Sequence, residues 1–114
     1  GYDLVINATP LGLNDSDAFA LDVQRMEPHA ALFDILLRNQ PTPLVRAARA
    51  RGLHAQAGFE MLIQQMPHYL RYFGHDEVAD ALCADARFLR ELIYPPAMHG
   101  EIAQPIRYHS DNVA

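Results

Sequence analysis

Leu4-Val5-Ile6 is a short, unbroken apolar run rich in β-branched residues, closed off by Pro10 and Gly12. That pattern reads as a strand buried on both faces, as in a parallel sheet. Ala31 to Leu37 reads as a second buried strand, and His54-Ala55-Gln56-Ala57-Gly58 is short enough for a third. A strand opening at the second or third residue, with no lead-in, reads as a cut inside a fold.

The segments between the strands carry helix signals. Leu11 to Phe19 is polar and reads as a loop, and Asp22 to Met26 as a short helical turn ended by Pro28. Thr42-Pro43 opens a helix: Thr42 caps the free N–H groups, and Pro43 takes the first position, where its missing N–H costs nothing. Leu44, Val45, Ala47 and Ala48 form its apolar face, and Gly52 its stop. A second helix places Leu62, Met66, Tyr69, Leu70 and Phe73 on one stripe and ends at Gly74. Pro67 within it predicts a kink or break. Asp76 is the expected cap of a last helix with the stripe Val78, Leu82, Leu89 and Ile93, stopped by Pro95-Pro96. Residues 97–114 show no period and read as an extended tail behind a domain covering residues 1–96.

Strands alternating with helices imply a parallel α/β sheet with right-handed crossovers. Three parallel strands are one mononucleotide half of a doubly wound sheet. The pyrophosphate-binding half carries G-x-G-x-x-G after its first strand. Here the six glycines stand far apart. The expectation is therefore the second half of a Rossmann-like nucleotide-binding domain, a three-stranded parallel sheet with flanking helices.

Composition narrows the function. A formal charge of −5 argues against nucleic-acid binding, which needs clustered cations. No apolar run approaches the length needed to cross a membrane. Cys83 is the single cysteine, so no internal disulfide can form, and a reducing cytoplasm is the simple reading. Cys83 itself reads as a small hydrophobe beside a core-facing stripe. The six histidines form no close metal-like set and read as surface or packing residues.

Three blocks resemble the shikimate and quinate dehydrogenases. Asp3-Leu4-Val5-Ile6-Asn7-Ala8-Thr9-Pro10-Leu11-Gly12-Leu13 looks like that family's first strand and loop of this half. Phe33-Asp34-Ile35-Leu36-Leu37 followed by Thr42-Pro43-Leu44 resembles its second. Gly58-Phe59-Glu60-Met61-Leu62-Ile63-Gln64-Gln65 resembles its next helix start. The blocks fall in the family's order and at about its spacing, from Asp3 to about Ala84. The resemblance implies a C-terminal part of an NADP-dependent oxidoreductase, with NAD as the other possible cofactor, interconverting shikimate and 3-dehydroshikimate.

It also implies site residues. Thr9 and Pro10 lie along the cofactor, Asn7 shapes that strand end, Ile35 packs near the nicotinamide, and Gly58 lets the backbone approach the nicotinamide amide. Met61 lines the same pocket, and Gln65 hydrogen-bonds a hydroxyl of a polyhydroxy acid substrate. Plainer readings stand beside these. Asn7 and Thr9 are also residues that satisfy turn amides. Ile35 and Met61 also read as core, Gly58 as a simple turn, and Gln65 as a solvent-exposed side chain. Asp34, a carboxylate inside an apolar strand, reads as structural, bound to nearby backbone N–H groups. One position departs from the family: Leu37 stands where it has a substrate-side Tyr.

The family's Lys–Asp pair, which handles the hydroxyl proton, lies in an N-terminal substrate domain. All nine basic residues here are Arg, and no residue of this chain takes that role. The isolated chain is expected to be inactive. Two other readings are a quinate or other polyol-acid dehydrogenase and a non-enzymatic module that self-associates through the open edge of Leu4–Ile6. A flavodoxin-like domain fits poorly, because Asn7-Ala8-Thr9-Pro10 makes a poor phosphate loop.

Overall fold

The structure, a computed structural model, describes residues 1–102. The chain separates into two compact units, residues 1–65 and the part that begins at Met66.

The first unit is a parallel three-stranded sheet in the order β1 (Leu4–Asn7), β2 (Ala31–Asp34), β3 (His54–Ala57). A 3-10 turn (Val23–Arg25) connects β1 to β2, and helix α1 (Pro43–Ala50) connects β2 to β3. The expected α/β order is therefore present. The register pairs Val5 with Leu32 and Leu32 with Ala55, so these three side chains share a face. They pack with Leu21, Val23 and Met26 from the turn region and with Leu44 and Ala48 from α1. Both crossovers thus lie on one face of the sheet, as right-handed connections between neighbouring parallel strands require.

The expectation of a first strand buried on both faces is corrected. Leu4 and Ile6 are 56% and 54% exposed. β1 is an edge strand paired only with β2, and the layer of turn and α1 covers the Val5 face, leaving Leu4 and Ile6 on the other. A short apolar run cannot distinguish an edge strand from a central one. The second strand is also shorter than its apolar run. Pairing stops at Asp34, and Ile35 and Leu36 continue in irregular backbone.

α1 forms for the expected reasons. Thr42 Oγ1 accepts a hydrogen bond from Val45 N at 3.3 Å, and Pro43 occupies the first turn. Leu44, Val45 and Ala48 are buried. Gly52 adopts φ +87° just past the C-cap, a conformation glycine takes without steric cost.

α2 (Phe59–Tyr72) begins in the first unit and continues into the second. It is not broken at Pro67, which lies inside the continuous helix and has no N–H to donate. Gly74, at φ +84°, ends it as expected. The anticipated last helix is two, α3 (Asp76–Ala84) and α4 (Arg87–Ile93). Asp85 is extended and its carboxylate accepts a hydrogen bond from Arg87 N at 2.9 Å. Such a local bond competes with the helical ladder, which explains the break. Asp76 is the first helical residue rather than the cap. The cap position is His75, which makes no side-chain capping bond.

A 3-10 turn (Pro96–Met98) and a short helix α5 (His99–Ile102) occupy the start of the stretch read as extended. The remainder of that tail, with His109, lies outside the described residues. Cys83 is exposed, with its Sγ 3.9 Å from the Arg71 guanidinium, so it does not serve as a core hydrophobe. No described helix is long and apolar enough to cross a membrane.

Candidate functional site

The carboxyl ends of the three strands lie along one edge, about 5 Å from strand to strand. Open α/β sheets bind ligands at this edge. β1 delivers Asn7, Thr9 and Pro10 to it, β2 delivers Asp34 and Ile35, and β3 delivers Gly58.

Asn7 is buried, and its amide is committed to its own chain. Nδ2 donates to Leu11 O at 3.1 Å and to Asp34 Oδ1 at 3.4 Å. Oδ1 accepts from Thr9 N at 3.1 Å and from Thr9 Oγ1 at 2.6 Å. Thr9 Oγ1 in turn accepts from Leu11 N at 3.2 Å. Asn7 and Thr9 therefore satisfy turn amides, as their residue types allow, and shape the loop in doing so. Thr9 and Pro10 are exposed at its tip.

Asp34 is fully buried. Its carboxylate accepts from Thr42 Oγ1 at 2.7 Å, Leu36 N at 3.2 Å and Asn7 Nδ2. The sequence reading gave it backbone partners, and the structure gives it one of those and two side chains. Thr42 is thus both the cap of α1 and a partner of Asp34. A buried carboxylate is tolerable only with such partners.

Gln40 completes the group, and sequence reasoning passed over it. Nε2 donates to Leu36 O at 2.9 Å and Asp34 O at 3.3 Å, while Oε1 accepts from Thr42 N at 3.2 Å. A glutamine two residues before a helix cap looks like any loop residue. The signal that would have found it is the buried Asp34, whose flanking backbone needed donors.

Gly58 is buried, and a Cβ there would stand 2.5 Å from Leu36 O and 2.6 Å from Ile35 C and O. The absent side chain is thus required by the chain's own backbone at the end of β2. Ile35 and Met61 are half-buried, and Gln65 and Leu37 are exposed. Gln65 is the last residue of the first unit. The edge is bordered by a second polar cluster. Asn39 Nδ2 donates to Gly12 O and Asp15 Oδ1, and Asp17 Oδ2 accepts from Gly12 N and Asn14 N at 3.0 and 3.1 Å. The N–H groups of Asn14 and then Gly12 hold the Asp17 carboxyl below its ordinary range. Among the described residues, no three His, Cys, Asp or Glu side chains come together to hold a metal ion.

A parallel sheet with its crossovers on one face and a polar-anchored loop at its carboxyl edge is a Rossmann-like α/β half domain. Comparison with known proteins makes this specific. The chain is 42% identical over 80 residues to the shikimate dehydrogenase (NADP(+)) of Acidiphilium cryptum, a match covering 69% of this chain and 29% of the relative. It is 44% identical over 75 residues to that of Maricaulis maris, covering 65% and 27%. To that of Methylobacterium radiotolerans it is 35% identical over 91 residues, covering 75% and 32%. No protein-family model matches. Over the matched residues the chain belongs to the shikimate dehydrogenase family, and it spans about a quarter to a third of the length of these relatives.

Proposed function

We propose that this chain forms the C-terminal, nicotinamide-facing half of the dinucleotide-binding domain of an NADP-dependent shikimate dehydrogenase. The observation that carries the reading is the shared edge: Thr9-Pro10, Ile35 and Gly58 end three adjacent parallel strands in a chain whose relatives are named as NADP-dependent enzymes. The residues suit the ring end of a dinucleotide. Ile35 offers apolar surface beside an exposed polar loop, and the backbone at Gly58 carries no side chain to obstruct approach. The pyrophosphate end finds no glycine loop here.

In this reading Thr9 and Pro10 run along the cofactor, with Asn7 behind them as anchor. Ile35 and Met61 exclude water from the reacting face. Gln65, exposed and able both to donate and to accept, contacts a hydroxyl of the polyhydroxy acid. Bound NADP supplies a hydride acceptor and donor for interconverting shikimate and 3-dehydroshikimate. Proton transfer to and from the substrate oxygen falls to groups outside this chain, which has no Lys. Leu37 brings no hydroxyl to the substrate side, so quinate or a related acid is the competing substrate. A cytoplasmic setting without nucleic-acid or membrane partners belongs to the same reading.

Titration of the labelled chain with NADP+ tests it. Resonances of Thr9, Ile35 and Gly58 are expected to shift, with weak affinity, and shikimate is expected not to be oxidised. Shifts scattered over α3 and α4, or none, would remove the proposal.

The open edge of β1 favours a second reading, self-association through Leu4–Ile6. Sedimentation is expected to show an oligomer that Ile6→Lys dissociates. A stable monomer at high concentration would eliminate it.

A further inference from the structure

We propose that Gln40 is a positioning residue for the strand-end site: its amide holds the Ile35–Leu36 backbone against Gly58 and so sets the gap between the ends of β2 and β3. The inference rests on reading that edge as the nicotinamide side of the site. It adds a residue that acts only through the backbone.

Past Asp34 the sheet ladder ends, yet Leu36 N and Leu36 O still need partners. Side chains supply both. Asp34 Oδ1 accepts from Leu36 N at 3.2 Å, and Gln40 Nε2 donates to Leu36 O at 2.9 Å. The held carbonyl is also the atom nearest to the missing side chain of Gly58, at 2.5 Å from the Cβ position. The end of β3 therefore rests on the group that Gln40 fixes. A rotation of that peptide would push into Gly58 or withdraw from it.

The residue type is decided by chemistry. Gln40 must donate to two carbonyls, Leu36 O and Asp34 O, and accept from Thr42 N. Only an amide combines two N–H donors with an acceptor oxygen at one side-chain end. Glutamate has the same length and keeps the acceptor, but as a carboxylate it has no donor and places negative charge beside two carbonyl oxygens. Leucine fills similar space and supplies neither function. Gln40 is buried, so water does not readily replace the lost donor.

The test uses the full 114-residue chain, isotope-labelled, with Gln40→Glu and Gln40→Leu. In both variants the Leu36 amide is expected to exchange about tenfold faster or more, a change equivalent to about 1.4 kcal/mol. The Leu36 and Gly58 resonances are expected to shift, while Val45 and Ala48 in α1 keep their protection. NADP+ is expected to bind each variant more weakly than the parent chain by a similar factor. Unchanged exchange at Leu36 would overturn the proposal, and so would equal acceleration throughout α1 and the strands, which marks a general loss of stability. If the parent chain gives no response to NADP+, the nucleotide reading fails, and the exchange pattern alone decides whether Gln40 holds the strand ends.

Discussion

In residues 1–65 polar groups at the sheet edge are buried and matched, whereas the helices from Met66 onward bury no polar side chain among the described residues and few apolar ones. Asn7, Asp34, Gln40 and Thr42 are all buried and account for one another's hydrogen bonds. In the second unit Phe73, Phe88 and Leu92 are 70%, 71% and 66% exposed, and α4 buries no residue. A buried polar network tolerates one arrangement, because each unmatched group costs free energy in a low-dielectric surrounding. An exposed apolar helix surface carries no such constraint and marks either an interaction surface or an aggregation liability. The candidate site belongs to the unit that is specified by matched polar groups.

Substitutions break or sharpen this contrast, in descending order of effect. Asp34→Ala strands the Thr42 hydroxyl, Leu36 N and the Asn7 amide, and at about 1–3 kcal/mol per unmatched buried group it is expected to cost about 3 kcal/mol or more. Urea unfolding followed at Val45 and Ala48 measures this. A small loss would mean that the network is not what distinguishes the first unit. Gly58→Ala drives a methyl into the Ile35–Leu36 backbone and is expected to cost about 1–3 kcal/mol by overpacking, read from the same midpoint.

Phe88→Gln with Leu92→Gln is the converse probe of the second unit. Surface changes of this kind are expected to move stability by no more than about 0.5 kcal/mol. Binding of a hydrophobic dye should fall in the same double variant. A large loss of stability would show that these side chains are buried in solution and erase the contrast.

The smallest effect concerns pH. The folded pKa of Asp17 lies below the ordinary carboxylate range, because the Asn14 and Gly12 N–H groups bind its ionised form. A depressed folded pKa contributes stability that is present above the unfolded value and lost as pH falls through the folded one. The Gly12 and Asn14 amide resonances should therefore stay constant from neutral pH down to the ordinary carboxylate range and move only below it. Asp17→Asn should abolish that acid transition. A transition at the ordinary carboxylate value in the parent chain would contradict the bonded geometry.

Much of the fold was legible because local rules agreed. Thr42-Pro43 and Gly52 bracket α1 by capping chemistry that needs no tertiary partner. Two apolar runs and a third short segment, with helical connections between them, leave few alternatives to a parallel sheet. The places where the reading failed have a common cause. The two α3/α4 helices were read as one because the stripe Val78, Leu82, Leu89, Ile93 runs across Asp85, and periodicity does not register a side chain that caps its own neighbour. Of the kink or break expected at Pro67, the break is absent, since the helix runs on through that residue.

The sequence by itself determined the alternation of three strands with their connections, the parallel sheet and the positions of Asn7 and Gly58 at strand ends, since these follow from local pattern, capping and turn chemistry within a few residues. Tertiary structure alone decided three things. Leu4 and Ile6 are exposed because the connecting turn and α1 both pack on the Val5 face of the sheet and leave the other face of β1 open, which depends on where the crossovers lie. Asp34 takes Thr42 and Asn7 as partners across 8 and 27 residues of chain, which no local pattern encodes. Gly58 is required by the backbone of Ile35 and Leu36, so a glycine that reads as room for a ligand is first of all room for the neighbouring strand end.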